Sequence, residues 1–218
     1  GGSSTSCSQS NATTTSTSGN QIASSSNQIC AADIIVSAGE NFELTTIITE
    51  LMTYPNPGTF NNLTIGYYTD NNGEPGTLIG SQAVTPSNQT LLDTSGSFYK
   101  YEVTSNLNPI IFNGQINSAT KYWLAISNAS TTTSNINLFW VENNNISGNY
   151  YGYMDGGTAG TWNSYNTDFI YEFSGNCIPI GGSTYGCTES IACNYDASAT
   201  IDDGSCIYIS SPAVDMTI

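Results

Sequence analysis

Phe98-Tyr-Lys-Tyr-Glu-Val-Thr104 is the stretch that decides the fold. Phe98, Lys100, Glu102 and Thr104 alternate with Tyr99, Tyr101 and Val103, which sets an apolar row on one face of an extended strand. The same period recurs on either side. Tyr122-Trp-Leu-Ala-Ile-Ser127 puts Tyr122, Leu124 and Ile126 on one face and Trp123 and Ala125 on the other. Residues 44–51 read as a buried strand. Leu63-Thr-Ile-Gly-Tyr-Tyr-Thr69 runs into a dense turn signal, Asp70-Asn-Asn-Gly-Glu-Pro-Gly76. Residues 78–84, 110–112, 137–141, 150–154 and 169–173 complete about nine or ten short strands separated by polar turns. No segment has a helical period. The expected fold is all-β, a jelly-roll-like β-sandwich with a small disulfide-rich C-terminal segment.

Charge narrows the function. The 218 residues carry 2 Lys+Arg against 17 Asp+Glu, a net charge of −15, with no His. Nucleic acid is excluded as a partner, because its binding depends on basic residues displacing phosphate counterions. Attraction to anionic membrane surfaces is disfavoured for the same reason. Without His there is no Ser-His-Asp triad, no Cys-His pair and no imidazole zinc site. No run is long and apolar enough to span a bilayer, so membrane insertion is not expected. Six Cys point to an oxidising compartment and up to three disulfides. Solubility from amides and hydroxyls rather than ammonium groups suits an exported, extracellular or cell-surface chain. Its start at Gly1 reads as a mature chain or excerpt without its export signal.

Four regions follow from composition. Residues 1–30 form a Ser/Thr-rich N-terminal tract, 31–176 the β-sandwich domain, 177–210 a Cys-rich acidic loop segment and 211–218 a C-terminal tail. The tract is linker-like, yet Cys7 and Cys30 bracket it and could close it into a loop. If ordered, it must lie on its own sandwich or pair with the sheet edge of a neighbouring copy or another surface protein. The expected pairing is Cys7 with Cys30, leaving Cys177, Cys187, Cys193 and Cys206 to pair among themselves.

Two stretches carry resemblances. Tyr67-Tyr-Thr-Asp-Asn-Asn-Gly-Glu-Pro-Gly-Thr-Leu-Ile-Gly80 resembles a recurrent segment of secreted bacterial β-sandwich modules, the choice-of-anchor domains among them. There a strand ends in a D-x-x-G-x-P-G-T-L turn, with a later Tyr-Trp-Leu strand, matched by Tyr122-Trp123-Leu124, and a Trp-containing end, matched by Trp162 to Phe173. Residues 33–175 are covered. Gly186-Cys-Thr-Glu-Ser-Ile-Ala-Cys-Asn-Tyr-Asp-Ala-Ser-Ala-Thr-Ile-Asp-Asp-Gly-Ser-Cys206 resembles a segment common in secreted and surface proteins of Bacteroidota, often those exported by the type IX system. The resemblances imply source and compartment, and no activity.

Candidate sites are few. Asn194, Asp196, Ser198, Thr200 and Asp202 fall at alternate positions, followed by Asp203, and Ca²⁺ wants six to eight hard oxygens. The loop lacks the Gly and Glu of an EF-hand. It is a candidate Ca²⁺ site or else a set of Asx turns capping a disulfide knot. Asp70, Asn72 and Glu74 read as a turn rather than an ion site. Trp140, Tyr151, Tyr153 and Trp162 form a candidate carbohydrate-binding face, since flat rings stack on sugars and neighbouring amides bond hydroxyls. The alternative is that they fill the sandwich core. Glu102, Glu142, Asp155 and Asp168 show no spacing that singles out a hydrolytic pair, and no enzyme is expected. The leading expectation is a non-enzymatic extracellular structural or adhesive module of a bacterial cell-surface or filament-forming protein. The runner-up is a carbohydrate-binding module recognising glycans.

Overall fold

The computed structural model describes residues 4–11, 18–143, 151–154, 162–165, 168–182 and 185–208. Its strands are β1 (Thr5–Asn11), β2 (Gly19–Gln21), β3 (Ile29–Val36), β4 (Glu40–Tyr54), β5 (Phe60–Asn71), β6 (Glu74–Val84), β7 (Asn88–Ser95) and β8 (Phe98–Phe112). They continue as β9 (Thr120–Thr131), β10 (Asn137–Asn143), β11 (Tyr151–Met154), β12 (Trp162–Tyr165), β13 (Asp168–Phe169), β14 (Tyr171–Pro179), β15 (Tyr185–Gly186) and β16 (Ile201–Asp202). The chain is an all-β sandwich.

Sheet A is built on the long strand β4, which pairs with β8 along one edge and with β14 and then β10 along the other. β7 extends the β8 side, while β1 pairs with β14, and β2 and β13 pair with β10. Sheet B runs β12-β11-β3-β9-β5-β6. The chain passes from one sheet to the other at β2–β3, β3–β4, β4–β5, β6–β7, β8–β9, β9–β10, β10–β11 and β12–β13. Every pairing between sandwich strands is antiparallel.

The period-2 patterns place the core where they should. Tyr101 and Val103 are buried between the sheets with Leu44, Ile47, Leu51, Leu124 and Ile126, and Tyr99 and Tyr122 pack against them. Lys100 and Glu102 lie on the other face of β8. Residues 98–112 form one strand where the sequence suggested two. The apparent break, Asn106-Leu-Asn-Pro109, is a register shift opposite Thr45, which absorbs a proline that has no N–H to give the ladder. Asn72 and Gly73, both at positive φ (56° and 89°), make the two-residue turn between β5 and β6.

The described parts of the N-terminal tract, residues 4–11 and 18–30, lie on the protein's own sandwich. β1 adds an edge strand to β14, and β2 covers β10. Asn11 is buried at the end of β1, where its amide donates to the Phe169 carbonyl (2.9 Å) and its Oδ1 accepts from Asn143 (3.0 Å). The expected Cys7–Cys30 bond does not form. Cys7 is bonded to Cys177 and Cys187 to Cys206, leaving Cys30 and Cys193 as free thiols. The reason is topological: β1 lies against β14 in sheet A, with Cys7 opposite Gly175, whereas Cys30 points into the core from β3 in sheet B.

Three glutamines close the sandwich sides, each gripping a backbone segment of the opposite sheet with both amide atoms. Gln9 on β1 accepts from Ile35 N (2.9 Å) and donates to Ile35 O (3.4 Å). Gln82 on β6 does the same to Asn108 of β8 (2.9 and 3.1 Å). Gln89 on β7 accepts from Phe60 N (2.9 Å) and donates to Gly58 O (2.8 Å). Each amide replaces one rung of a β ladder between strands that cannot pair directly. Truncating the half-buried Gln89 to Ala should cost about 1–3 kcal/mol in urea unfolding, because it leaves an N–H and a carbonyl unpaired. Gln89→Glu should destabilise the protein at neutral pH and recover as the carboxyl protonates and can again donate to Gly58; equal stability at both pH values would refute the clamp.

Candidate functional site

Sheet B is buried on its outer face as well as its inner one. Ala31, Trp123 and Ala125 form a second core there, with Ile29, Tyr68 and Trp162 packed on it. Sequence order makes this unexpected, because β12 and β5 are separated by three strands, about 19 Å across a flat sheet. The Trp162 and Tyr68 rings nevertheless meet edge to face at 5.5 Å, and the β11–β12 hairpin reaches β6. Sheet B therefore curls, bringing its β12 end over its own outer face. A transverse row of small residues permits this: Ser81, Gly66, Ala125, Ala31, Gly152 and Ser164 stand in register across all six strands. A Cβ on Gly66 would come within 3.0 Å of the Tyr68 ring.

Charged groups thread the same face. Lys121 pairs with Asp33 at 3.1 Å and stands over the Trp123 ring, 5.3 Å from its centroid. Trp123 Nε1 donates to Asp70 Oδ1 (2.9 Å), and Gly73 N donates to Asp70 Oδ2 (3.1 Å). Asp70 thus ties the β5–β6 turn to the second core, a bond beyond the plain turn expected from the sequence. Burial pushes the Asp33 carboxyl above the usual carboxylate range, against the opposing pull of Lys121, and the negative charge of Asp70 adds to the rise. On sheet A, Lys100 pairs with buried Glu50 at 3.3 Å. Burial raises Glu50 too, with Lys100 opposing and Glu102 adding. Both bases of the chain are thus paired to buried acids.

Between the β5–β6 turn and β12 lies a cleft of about 440 Å³, lined by Thr69, Asp70, Asn71, Pro75, Gly76, Thr77 and Trp162. Thr69 Oγ1 accepts from Thr77 N (3.0 Å), which squares the turn. A Cβ on Gly76 would lie 2.9 Å from the same hydroxyl.

The aromatic candidates separate sharply. Trp162 lines the cleft. Trp140 is no binding residue: it is 0% exposed, its Nε1 donates to Ile170 O (2.9 Å), and its ring stacks on Phe169 at 4.4 Å. It takes an inward position on β10, with Leu138 two residues earlier, and joins the core between the sheets. Tyr151 and Tyr153 lie on β11, paired with β12 and β3, and their side chains fall outside the described residues, as does Asp155. Tyr68, Trp123 and the cleft threonines were missed as site residues; the only sequence signal was the D-x-x-G-x-P-G-T turn itself.

In the Cys-rich segment, the carboxylates cap their own turns. Asp196 Oδ1 accepts from Ser198 N and Oγ (2.8 and 2.6 Å), Asp202 from Gly204 N (3.2 Å) and Asp203 from Ser205 N (2.9 Å). Hydrogen bonding from the Ser198 hydroxyl and N–H holds the Asp196 carboxyl below the usual range, and the Ser205 side chain and N–H do the same for Asp203. Asn194 grips Ser205 O and Ile207 N, both at 2.7 Å. Among the described residues no three His, Cys, Asp or Glu are grouped to hold a metal ion. Two disulfides fit an oxidising compartment, and no described helix is long and apolar enough to cross a membrane. No family model, curated protein or solved structure matches the chain.

Two measurements check these assignments. Because the folded-state carboxyls of Asp33 and Glu50 sit above their unfolded values, their contribution is fully present below the ordinary carboxylate range. It is lost as pH rises through the raised values. Asp33→Asn should therefore gain in melting temperature relative to the parent between about pH 4 and pH 7; a relative loss over that window would show that the ion pair more than offsets burial. In the second, native protein exposed to iodoacetamide should be alkylated at Cys193, with Cys30 reacting only after unfolding. Non-reducing peptide mapping should recover Cys7–Cys177, and recovery of Cys7–Cys30 would displace β1 from the sandwich.

Proposed function

We propose that this chain is a non-enzymatic, load-tolerant structural or adhesive module of an exported bacterial cell-surface protein. The observation that carries the reading is the placement of the two disulfides along the chain. Cys7 and Cys177 join the first and last strands of the sandwich across 170 positions, and Cys187 and Cys206 join across 19. Tension applied between the two termini then travels through residues 1–7, 177–187 and 206–218, crossing two covalent shortcuts. The sandwich between Cys7 and Cys177 hangs off that path. The same bond restricts the unfolded chain, a stabilisation of about 5 kcal/mol in the loop-entropy account.

Without it the geometry is weak. β1 and β14 are antiparallel, and Thr5 faces Cys177, so both ends of the load arrive at one end of the ladder and would peel it one rung at a time. A bond two residues in, at Cys7, stops the peeling where it begins. The acidic loop reinforces itself through turn caps and its own disulfide, and the proposal assigns calcium no necessary part. Its partners in this reading are neighbouring copies or other surface proteins joined in series.

Single-molecule pulling from the two termini tests it. The oxidised protein should show no long unfolding step, whereas reduced protein, or Cys7→Ser, should release about 600 Å of chain. An oxidised protein that extends by hundreds of ångströms under the same load would defeat the reading.

A further inference from the structure

We propose that the cleft between the β5–β6 turn and β12 binds a neutral pyranose unit of a glycan, with Trp162 as the stacking surface and Asp70, Asn71 and Thr77 as the hydrogen-bonding groups. The site stands apart from the load-bearing reading; a module that failed the pulling test would still carry it.

Trp162 is the tryptophan available for contact, since Trp123 and Trp140 are 1% and 0% exposed. Its indole is half-buried and held edge to face by Tyr68, so little ring motion is lost when a ligand stacks on it. At about 440 Å³ the cleft falls within the range of small-ligand pockets. Its opposite wall is rigid for reasons already built into the fold. The Asp70 carboxylate is aimed by Trp123 Nε1 on one oxygen and Gly73 N on the other. Each oxygen keeps a further lone pair, and two such oxygens at fixed spacing suit a pair of adjacent sugar hydroxyls. Thr77 is positioned through its N–H to Thr69 Oγ1. Gly76 leaves the floor open, because a side chain there would collide with that hydroxyl.

Charge selects among sugars. The cleft presents a carboxylate, the chain carries −15, and its two lysines are paired with Asp33 and Glu50. A sialic acid or uronate would find no cation to meet its own charge, whereas a neutral hexose meets an aromatic face, a carboxylate and a hydroxyl.

The test uses the full chain on immobilised glycans ending in neutral hexoses, in sialic acid or in uronates, followed by solution titration with methyl pyranosides of the sugars retained. Neutral glycans should be retained, and Trp162→Ala should weaken binding at least tenfold, with Trp162→Phe recovering part of the loss. Asn71→Ala, at the exposed end of β5 outside both cores, should weaken binding several-fold with an unchanged melting temperature. Failure to retain any neutral glycan, retention confined to anionic ones, or retention indifferent to both Trp162→Ala and Asn71→Ala would each overturn the proposal.

Discussion

A sandwich with two cations has to be held together by something other than surface charge, and that scarcity governs much of the structure. Lys100 and Lys121 are each drawn to a buried carboxylate, Glu50 and Asp33, whose charge burial disfavours and the paired ammonium supports. Neither is left to guard a sheet edge, the position where lysine is commonly used to block unwanted pairing. Amides do that work instead. Gln9, Gln82 and Gln89 each satisfy an N–H and a carbonyl on the opposing sheet. The Asn- and Gln-rich composition is thus a structural requirement as well as a source of solubility.

The legible part of the sequence was the part with period 2. Phe98–Thr104 gave the correct inward row because its other face carries Lys100, Glu102 and Thr104, and Tyr122–Ser127 did so because Tyr122, Leu124 and Ile126 share one face although Trp123 and Ala125 make the other apolar too. β1, β2 and β7 carry no such signal. β1 and β7 are edge strands, β2 only caps the side of β10, and their side chains are largely Ser, Thr, Asn and Gln, so the ladder and the glutamine clamps fix them rather than burial. The Cys7–Cys177 bond was hidden for the same reason, since proximity in sequence favoured Cys30 while the pairing of β1 with β14 decided the matter.

Half of the candidate site was readable. Asp70-Asn-Asn-Gly-Glu-Pro-Gly76 announced a tight turn, and Trp162 was singled out, yet nothing in the sequence set them face to face. The link is the curl of sheet B, which the register row of Gly66, Ala125, Ala31 and Gly152 leaves room for. Four small residues spaced far apart in sequence look unremarkable until strand pairing aligns them. Trp140 failed as a candidate because it stands on the inward face of β10, where its ring is buried in the core between the sheets.

Curl and disulfide together divide the molecule into two mechanical zones. Thr69–Thr77 and Trp162, the walls of the cleft, lie between Cys7 and Cys177 in the chain and on sheet B in space, while the covalent shortcut runs along the β1–β14 edge of sheet A. Tension between the termini therefore loads neither wall nor the Trp123–Asp70 bond that aligns one with the other. A ligand site placed on β1 or β14 would be distorted by the force that tests its grip. One placed at the β5–β6 turn keeps its geometry for as long as the disulfide holds, and a module that must bind while under tension gains most from that arrangement.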